Sequence, residues 1–249
     1  MTAIETDGLT KRYGDVDALV DLSLTVPEGE LFALLGPNGS GKTTTIEILT
    51  GQLEPTSGSA AVLGHDPVAD PLAVRRSVGI LPEREDPPSF LTPREYLQFV
   101  GSVRDLSDVS DRIEEWAARF EFADLLDTLA TDLSEGERQR VMLAAAFVHE
   151  PDLVFIDEPL VNLDPLMQEQ IKGHFREYVD RGNTVFLSTH FIEVAEELCT
   201  SVAIVSDGRL VAERDPRSLA EGERLLDVFR EEVTAAGATD GAAEPVQHR

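Results

Sequence analysis

Polar and apolar positions divide this 249-residue chain into stretches of different period. From Ala18 to Val26 the sequence ALVDLSLTV alternates, as a half-buried strand does. ELFALLG, Glu30 to Gly36, is a continuous apolar run ending at glycine and reads as a buried strand. A helical pattern runs from Lys42 to about Thr50, SGSAAVLG reads as turn and strand, and RSVGILP, Arg76 to Pro82, as a short strand ending at proline. From about Glu83 to Glu150 the period is helical. TPREYLQFVGSV has Thr92 as cap and Pro93 at the first helical position, and DRIEEWAARFEF and a helix after Ser134 follow it. Strand and helix then alternate: DLVFID, a helix from Pro165 to about Arg181, NTVFLSTH, a helix near Ile192 to Leu198, and SVAIVSDGRLVAE. Strands separated by helices predict a parallel sheet covered by helices. The expected organisation is one α/β domain over residues 1–233, with its helical portion at about 83–150, and a tail at 234–249. The last fifteen residues are Ala, Gly and polar residues, a composition expected to be disordered.

Charge changes the picture. Asp and Glu number 47 against 21 Lys and Arg, a formal net charge of -26, and only Lys11, Lys42 and Lys172 are lysines. The acids are spread along the chain, which argues against an acidic tail. Such a charge pushes a compact state apart in dilute buffer, and at roughly 1 M salt, where the Debye length is about 3 Å, that repulsion is largely removed. The composition resembles that of haloarchaeal proteins and predicts a salt-rich cytoplasm. It argues against nonspecific nucleic-acid binding, which rests on Lys and Arg. Cys199 is the only cysteine, so an intrachain disulfide and a cysteine metal cluster are excluded, and a small buried hydrophobe is the expected role. The N-terminus lacks an apolar signal core, and the longest apolar run, about VMLAAAFV, is far short of the roughly 20 residues of a membrane helix.

GPNGSGKT, Gly36 to Thr43, fits the phosphate-binding loop G-x-x-x-x-G-K-[ST]. Glycines let backbone N–H groups turn towards phosphates, the helix N-terminus adds partial positive charge, Lys42 reaches the terminal phosphates, and Thr43 offers its hydroxyl to Mg²⁺. The loop follows a predicted strand and opens a predicted helix, the context the motif requires. LVFIDEP, Leu153 to Pro159, places two acids at the carboxyl end of a buried strand, where open parallel sheets bind ligands. Asp157 suits Mg²⁺, and Glu158 suits polarising a water for attack on a γ-phosphate; solvated acids at a strand end are the plainer reading. His190 ends TVFLSTH at the same edge of the sheet, and is by itself as well read as structural. Tyr13 is either a stacking ring or a strand aromatic.

ATDLSEGERQRVML, Ala130 to Leu143, opens a helix with two carboxylates. Ser134 and Glu137 fit a capping box, in which the hydroxyl accepts from the N3 backbone N–H and the glutamate reaches back to the cap.

Taken in order, an aromatic near the N-terminus, GPNGSGKT, LSEGERQR, LVFIDEP, NLDP and STH resemble the ATP-binding subunits of ABC transporters, over roughly Ile4 to Glu213. The resemblance implies a P-loop NTPase (RecA-like) α/β core with an antiparallel β portion and an inserted α-helical subdomain. It implies ATP and Mg²⁺ as ligands, with Tyr13 stacked on adenine and Gly36, Pro37, Asn38, Gly39, Ser40, Gly41, Lys42, Thr43 and Thr44 around the nucleotide. Glu158 would be the catalytic carboxylate and His190 the γ-phosphate contact, with Thr43, Glu83 and Asp157 at Mg²⁺. Two copies, or one with a paralogous subunit, would close head to tail around two ATP molecules. Ser134, Gly136, Glu137 and Asp164 would then contact the nucleotide of the opposite subunit. The chain would sit at the cytoplasmic face of the membrane through a separate integral membrane permease, which the helical subdomain docks.

Three positions depart from the family pattern. Glu83 stands where glutamine is usual, Asn162 where glycine is usual before LDP, and Glu135 where the signature Leu-Ser-Gly-Gly-Gln has glycine. A carboxylate at 83 can still ligate Mg²⁺. Glu135 and Glu137 would oppose an incoming triphosphate, so nucleotide-driven closure is expected to weaken as salt is lowered. SFLTPREYL and LLDVF, Leu225 to Phe229, resemble subunits of exporters with separately encoded membrane chains, although LLDVF reads equally as an amphipathic helix covering the core. The alternative is a soluble ABC-type ATPase or a regulatory subunit outside transport. The chain has neither the long heptad insert of the DNA-repair members nor the tandem copy usual in translation-associated ones, and a nucleotide kinase would not need LSEGERQR or Asp164.

Overall fold

The computed structural model describes residues 1–83, 85–160, 163–220 and 222–240. The N-terminal alternation forms β1 (Thr2–Tyr13) and β2 (Val16–Pro27), which pair antiparallel, with β4 (Ser57–Val62) on the other edge of β1. Their inward residues, among them Ile4, Leu9, Leu22, Leu24 and Val62, are fully or almost fully buried, because one face of this three-stranded sheet covers the second sheet.

The second sheet has six strands in the order β5-β6-β7-β3-β8-β9: β3 (Leu31–Leu35), β5 (Val78–Leu81), β6 (Leu153–Asp157), β7 (Thr184–Thr189), β8 (Ser201–Ser206) and β9 (Arg209–Arg214). The first five of that order are parallel, and β9 turns back antiparallel on β8. The expected parallel sheet is therefore present with one antiparallel edge, where Asp207 and Gly208 make the turn within SVAIVSDGRLVAE. Strands β3, β6 and β7 are buried at every position, which explains the apolar runs LFALL, LVFI and VFL within them. Phe32, Phe155 and Phe186 pack in their interior on the side of the smaller sheet and of α1 (Lys42–Leu49).

The opposite face carries the helices. Between β5 and β6 the chain forms α3 (Pro93–Val103), α4 (Val109–Arg119) and α5 (Glu135–Phe147), the helical portion expected over 83–150. Thr92 caps α3 in a full capping box with Glu95, and Pro93 follows it, as the sequence predicts. Helices α6 (Pro165–Asp180) and α7 (Ile192–Leu198) follow β6 and β7. One short helix, α2 (Pro71–Ser77), was not expected: Asp70 caps it and Pro71 starts it, so Arg76 and Ser77 belong to helix and β5 begins only at Val78. Helix α8 (Leu225–Asp240) buries Leu225 and Val228 against the core and packs Phe229 on it, the core-covering reading of LLDVF. It continues six residues into the stretch expected to be disordered; the rest of that stretch, 241–249, and the departure at Asn162 lie outside the described residues.

Candidate active site

The loop from β3 to α1 is shaped by its glycines. A Cβ at Gly36 would stand 2.3 Å from the Val205 carbonyl oxygen and 2.5 Å from Ser40 Oγ, so any side chain there displaces backbone. Gly41 caps α1 at φ 98°, a left-handed conformation that only glycine adopts without strain, and a Cβ there would meet Ala18 O at 2.5 Å. The loop residues Pro37, Asn38 and Gly39 are exposed, whereas Ser40 Oγ is buried without a hydrogen-bond partner among the described residues.

Lys42 is almost fully buried under this loop. Its Nζ donates to the carbonyls of Gly36 at 2.9 Å and Pro37 at 3.2 Å. Burial lowers its proton affinity, and the charges of Glu158, Asp157 and Glu83 oppose that shift. One residue on, Thr43 Oγ1 donates to Asp157 Oδ2 at 2.8 Å. Asp157 ends β6 and is also buried. Burial raises its pKa, and the Thr43 hydrogen bond works against the rise.

Glu158 follows Asp157 at φ 51°, an uncommon backbone for a non-glycine residue, and one that costs energy. Its N–H donates to Ser188 O on β7, which turns the side chain towards the end of that strand. There the carboxylate is held by three donors. Thr189 Oγ1 reaches Oε2 at 3.1 Å, and the backbone N–H and Nδ1 of His190 reach Oε1 at 3.0 and 2.7 Å. Since a carboxylate accepts, Nδ1 carries a hydrogen and Nε2 is left to other partners. Phe191 N–H donates to Thr189 Oγ1, closing a turn around the carboxylate.

These groups share one open cavity of about 850 Å³. Of the residues expected in a site, Asn38, Gly39, Gly41, Lys42, Thr43, Thr44, Glu83, Asp157, Glu158 and His190 line it; Gly36, Pro37 and Ser40 belong to the same loop. Tyr13 stands outside this wall, half exposed, with Lys11 Nζ 5.2 Å from its ring centre, and its cross-strand neighbour Val16 supplies the wall's apolar part with Ala18. Ser134, Gly136, Glu137 and Asp164 also lie outside it. Ser134 and Glu137 form the expected capping box: Ser134 N–H donates to Glu137 Oε2 at 2.7 Å, and Glu137 N–H to Ser134 Oγ at 3.3 Å. Those bonds hold the Glu137 carboxyl below its ordinary pKa. Asp164 caps α6 by accepting from Leu166 and Met167.

Sequence reasoning missed Thr189, Asp17, Glu85, Asp86, Gln139 and the position of Glu135. All of these but Thr189 line the cavity of their own chain, and Arg138 Nε ties Asp86 to α5 at 3.1 Å. Thr189 had a signal, its place in STH beside His190; Glu85 and Asp86 had none beyond adjacency to Glu83.

Among the described residues no group of three or more His, Cys, Asp or Glu is placed to hold a metal ion, and no helix is long and apolar enough to cross a membrane. The family model for ABC transporters matches residues 19–161. The daunorubicin/doxorubicin resistance ATP-binding protein of Streptomyces peucetius is 37% identical over 245 residues, spanning 90% of this chain and 74% of the relative. The Nod factor export ATP-binding protein I of Rhizobium sp. (strain N33) is 36% identical over 235 residues, 91% of this chain and 76% of that protein. Among solved structures, the ATP-binding subunit of an ABC transporter superposes with a TM-score of 0.86 at 31% identity, covering 94% of this chain and all of the other. The dimeric bacterial ABC transporter cassette MJ0796 gives 0.81 at 25% identity over 87% of this chain and all of the other. With the phosphate-binding loop, the paired acids and the fold in agreement, the chain belongs to the ABC transporter family as an ATP-binding, ATP-hydrolysing subunit.

Proposed function

We propose that the cavity beside β3, β6 and β7 takes MgATP, that two copies close head to tail around two nucleotides, and that hydrolysis drives a separate membrane chain through substrate export. The observation that carries this reading is the buried Glu158 carboxylate, held by Thr189 and His190 next to Lys42, Thr43 and Asp157. Lys42 would exchange the carbonyls of Gly36 and Pro37 for phosphate oxygens, and the backbone N–H groups from Gly39 to Thr44 would surround the phosphates. Thr43 and Asp157, with Glu83 of the same cavity lining, would hold Mg²⁺. Their oxygens are the hard donors that ion requires, and the first two already stand 2.8 Å apart. Bound there, it neutralises charge on the phosphates. Glu158 then orients a water towards the γ-phosphate, and His190, its Nδ1 hydrogen engaged by Glu158, turns Nε2 to the same group.

Ser134, Gly136, Glu137 and Asp164 would meet the nucleotide of the opposite subunit. To do so Glu137 must release the Ser134 hydroxyl and N–H, so the capping box is the open form of that contact. The relatives named for drug resistance and Nod factor export support export, through a permease at the cytoplasmic face of the membrane. The net charge of -26 supports operation in concentrated salt. Tagged chain recovered from native membranes solubilised in molar KCl is expected to bring a polytopic membrane protein in matching amount. Recovery of soluble partners alone, from folded protein, would contradict transport and leave the ATPase.

A further inference from the structure

Only three lysines remain in a chain whose basic residues are otherwise arginine. Lys42 lies under the phosphate-binding loop; Lys172 is equally buried, far from it in sequence, in the middle of α6. Its Nζ donates to Glu169 Oε1 at 2.8 Å, one turn back on its own helix, and to Glu197 Oε2 at 2.6 Å on α7. Arg176, one turn further along α6, donates to the other oxygen of Glu197 at 2.9 Å. Glu197 is thus clamped to α6 by two cations. The adjacent Glu196 is tied the other way: its Oε1 accepts the Leu225 N–H at the start of α8 at 2.7 Å.

Helix α7 has only seven residues and no side-chain cap at its start, so its own hydrogen bonds do little to fix its direction. What precedes it is the turn Thr189, His190 and Phe191 that wraps the Glu158 carboxylate. A tilt of α7 therefore moves the donors on which the orientation of Glu158 depends. Helix α6 begins at Asp164, and Gln168 Nε2 anchors the residues before it by donating to Leu160 O at 3.0 Å and Leu163 O at 3.1 Å. The clamp at Lys172 lies one turn beyond Gln168.

We propose that Lys172 is a positioning residue for hydrolysis: by bridging α6 to Glu197 it fixes α7, and through it the His190–Glu158 pair, relative to the Asp164 end of α6. The inference rests on the reading of Glu158 and His190 as the hydrolytic pair. Lysine suits the role because its compact ammonium and three donors can serve two carboxylates on different helices at once. Where Asp164 meets the opposite subunit, the same clamp carries displacement at one nucleotide to the hydrolytic pair of the other.

The test uses the full chain in molar KCl, with Lys172→Met, Glu197→Gln and the double variant. Rates are expressed per nucleotide-binding site, so loss of folded protein is divided out. Since displacement of about 1 Å at a reacting centre can cost on the order of 100-fold, each single variant is expected to lower kcat by roughly tenfold or more, with KM for MgATP within about twofold. The double variant is expected to fall no further than the worse single, because both break one bridge. Variants with normal kcat per site, whatever their melting temperature, would overturn the proposal and reduce the bridge to a structural one. Absence of hydrolysis by the unmodified chain would instead overturn the underlying assignment. A Hill coefficient for ATP that drops towards one in Lys172→Met supports the link to the opposite site; an unchanged coefficient with lowered kcat confines the clamp to its own chain.

Discussion

Glu85 and Glu135 line the same cavity as Lys42, so both oppose an incoming triphosphate. Treated as a sphere, a cavity of about 850 Å³ puts a wall charge about 6 Å from its centre, where one carboxylate repels a doubly negative MgATP by ~1.4 kcal/mol in water before screening. With a Debye length of about 10 Å at 0.1 M salt, ~0.8 kcal/mol of this survives; at about 1 M and 3 Å, ~0.2 kcal/mol does. Replacing both by glutamine should therefore tighten nucleotide binding roughly tenfold at 0.1 M KCl and about twofold at 1 M. The assay is calorimetric titration of a nonhydrolysable MgATP analogue across a KCl series, with circular dichroism at each point to confirm the fold. The variant with Glu85→Gln and Glu135→Gln should show a flatter dependence on salt than the parent. Parallel salt dependences for the two proteins would refute the reasoning, and would leave salt acting on folding alone.

Other perturbations have defined outcomes. His190→Ala removes one of three donors to Glu158 and should lower kcat by about 100-fold while MgATP affinity, measured by titration, stays within a few-fold. Gly36→Ala places a methyl against Val205 O and Ser40 Oγ; overpacking of this kind costs ~1–3 kcal/mol and should appear as a lower melting temperature together with weakened nucleotide binding. His174, enclosed by Trp116, Phe120 and Phe147, has its pKa pushed by burial, and further by Arg119, down to about 3. The unfolded chain takes up that proton as pH falls through about 6.5, so stability is lost between there and 3, by ~2 kcal/mol at pH 5. In His174→Phe the difference in urea stability between pH 7 and pH 5 should shrink by that amount. Ser134→Ala removes the acceptor of the α5 cap and should cost ~1 kcal/mol of stability.

Local signals made much of this legible. The buried strands β3, β6 and β7 announce themselves as apolar runs because helices and a second sheet exclude water from both faces. Thr92 and Ser134 are visible as caps because the required partner lies three residues on. Helix α2, PLAVRRS, buries Val74 alone and so shows no apolar period, although Asp70 followed by Pro71 marks its start. The reversal of β9 depends on a two-residue turn at Asp207 and Gly208 inside what reads as one strand. In the site, residues that fall within a recognisable motif were found. Those that reach the cavity from elsewhere, Asp17 on β2 and Gln139 on α5, were not, because no sequence spacing records how one element crosses another. Tyr13 shows the converse: an aromatic at the expected place, while its neighbour across the hairpin, Val16, lines the wall.

The assignment of Glu158 is tested most directly by Glu158→Gln, measured for hydrolysis and for mass by light scattering in molar KCl with and without MgATP. The variant keeps the shape of the side chain but loses the charge that polarises water. It is expected to hydrolyse ATP at less than about a hundredth of the parent rate and to accumulate as a dimer when MgATP is added. Hydrolysis at the parent rate by the same variant would contradict the account, and the buried carboxylate held by Thr189 and His190 would then be a structural feature of the strand end.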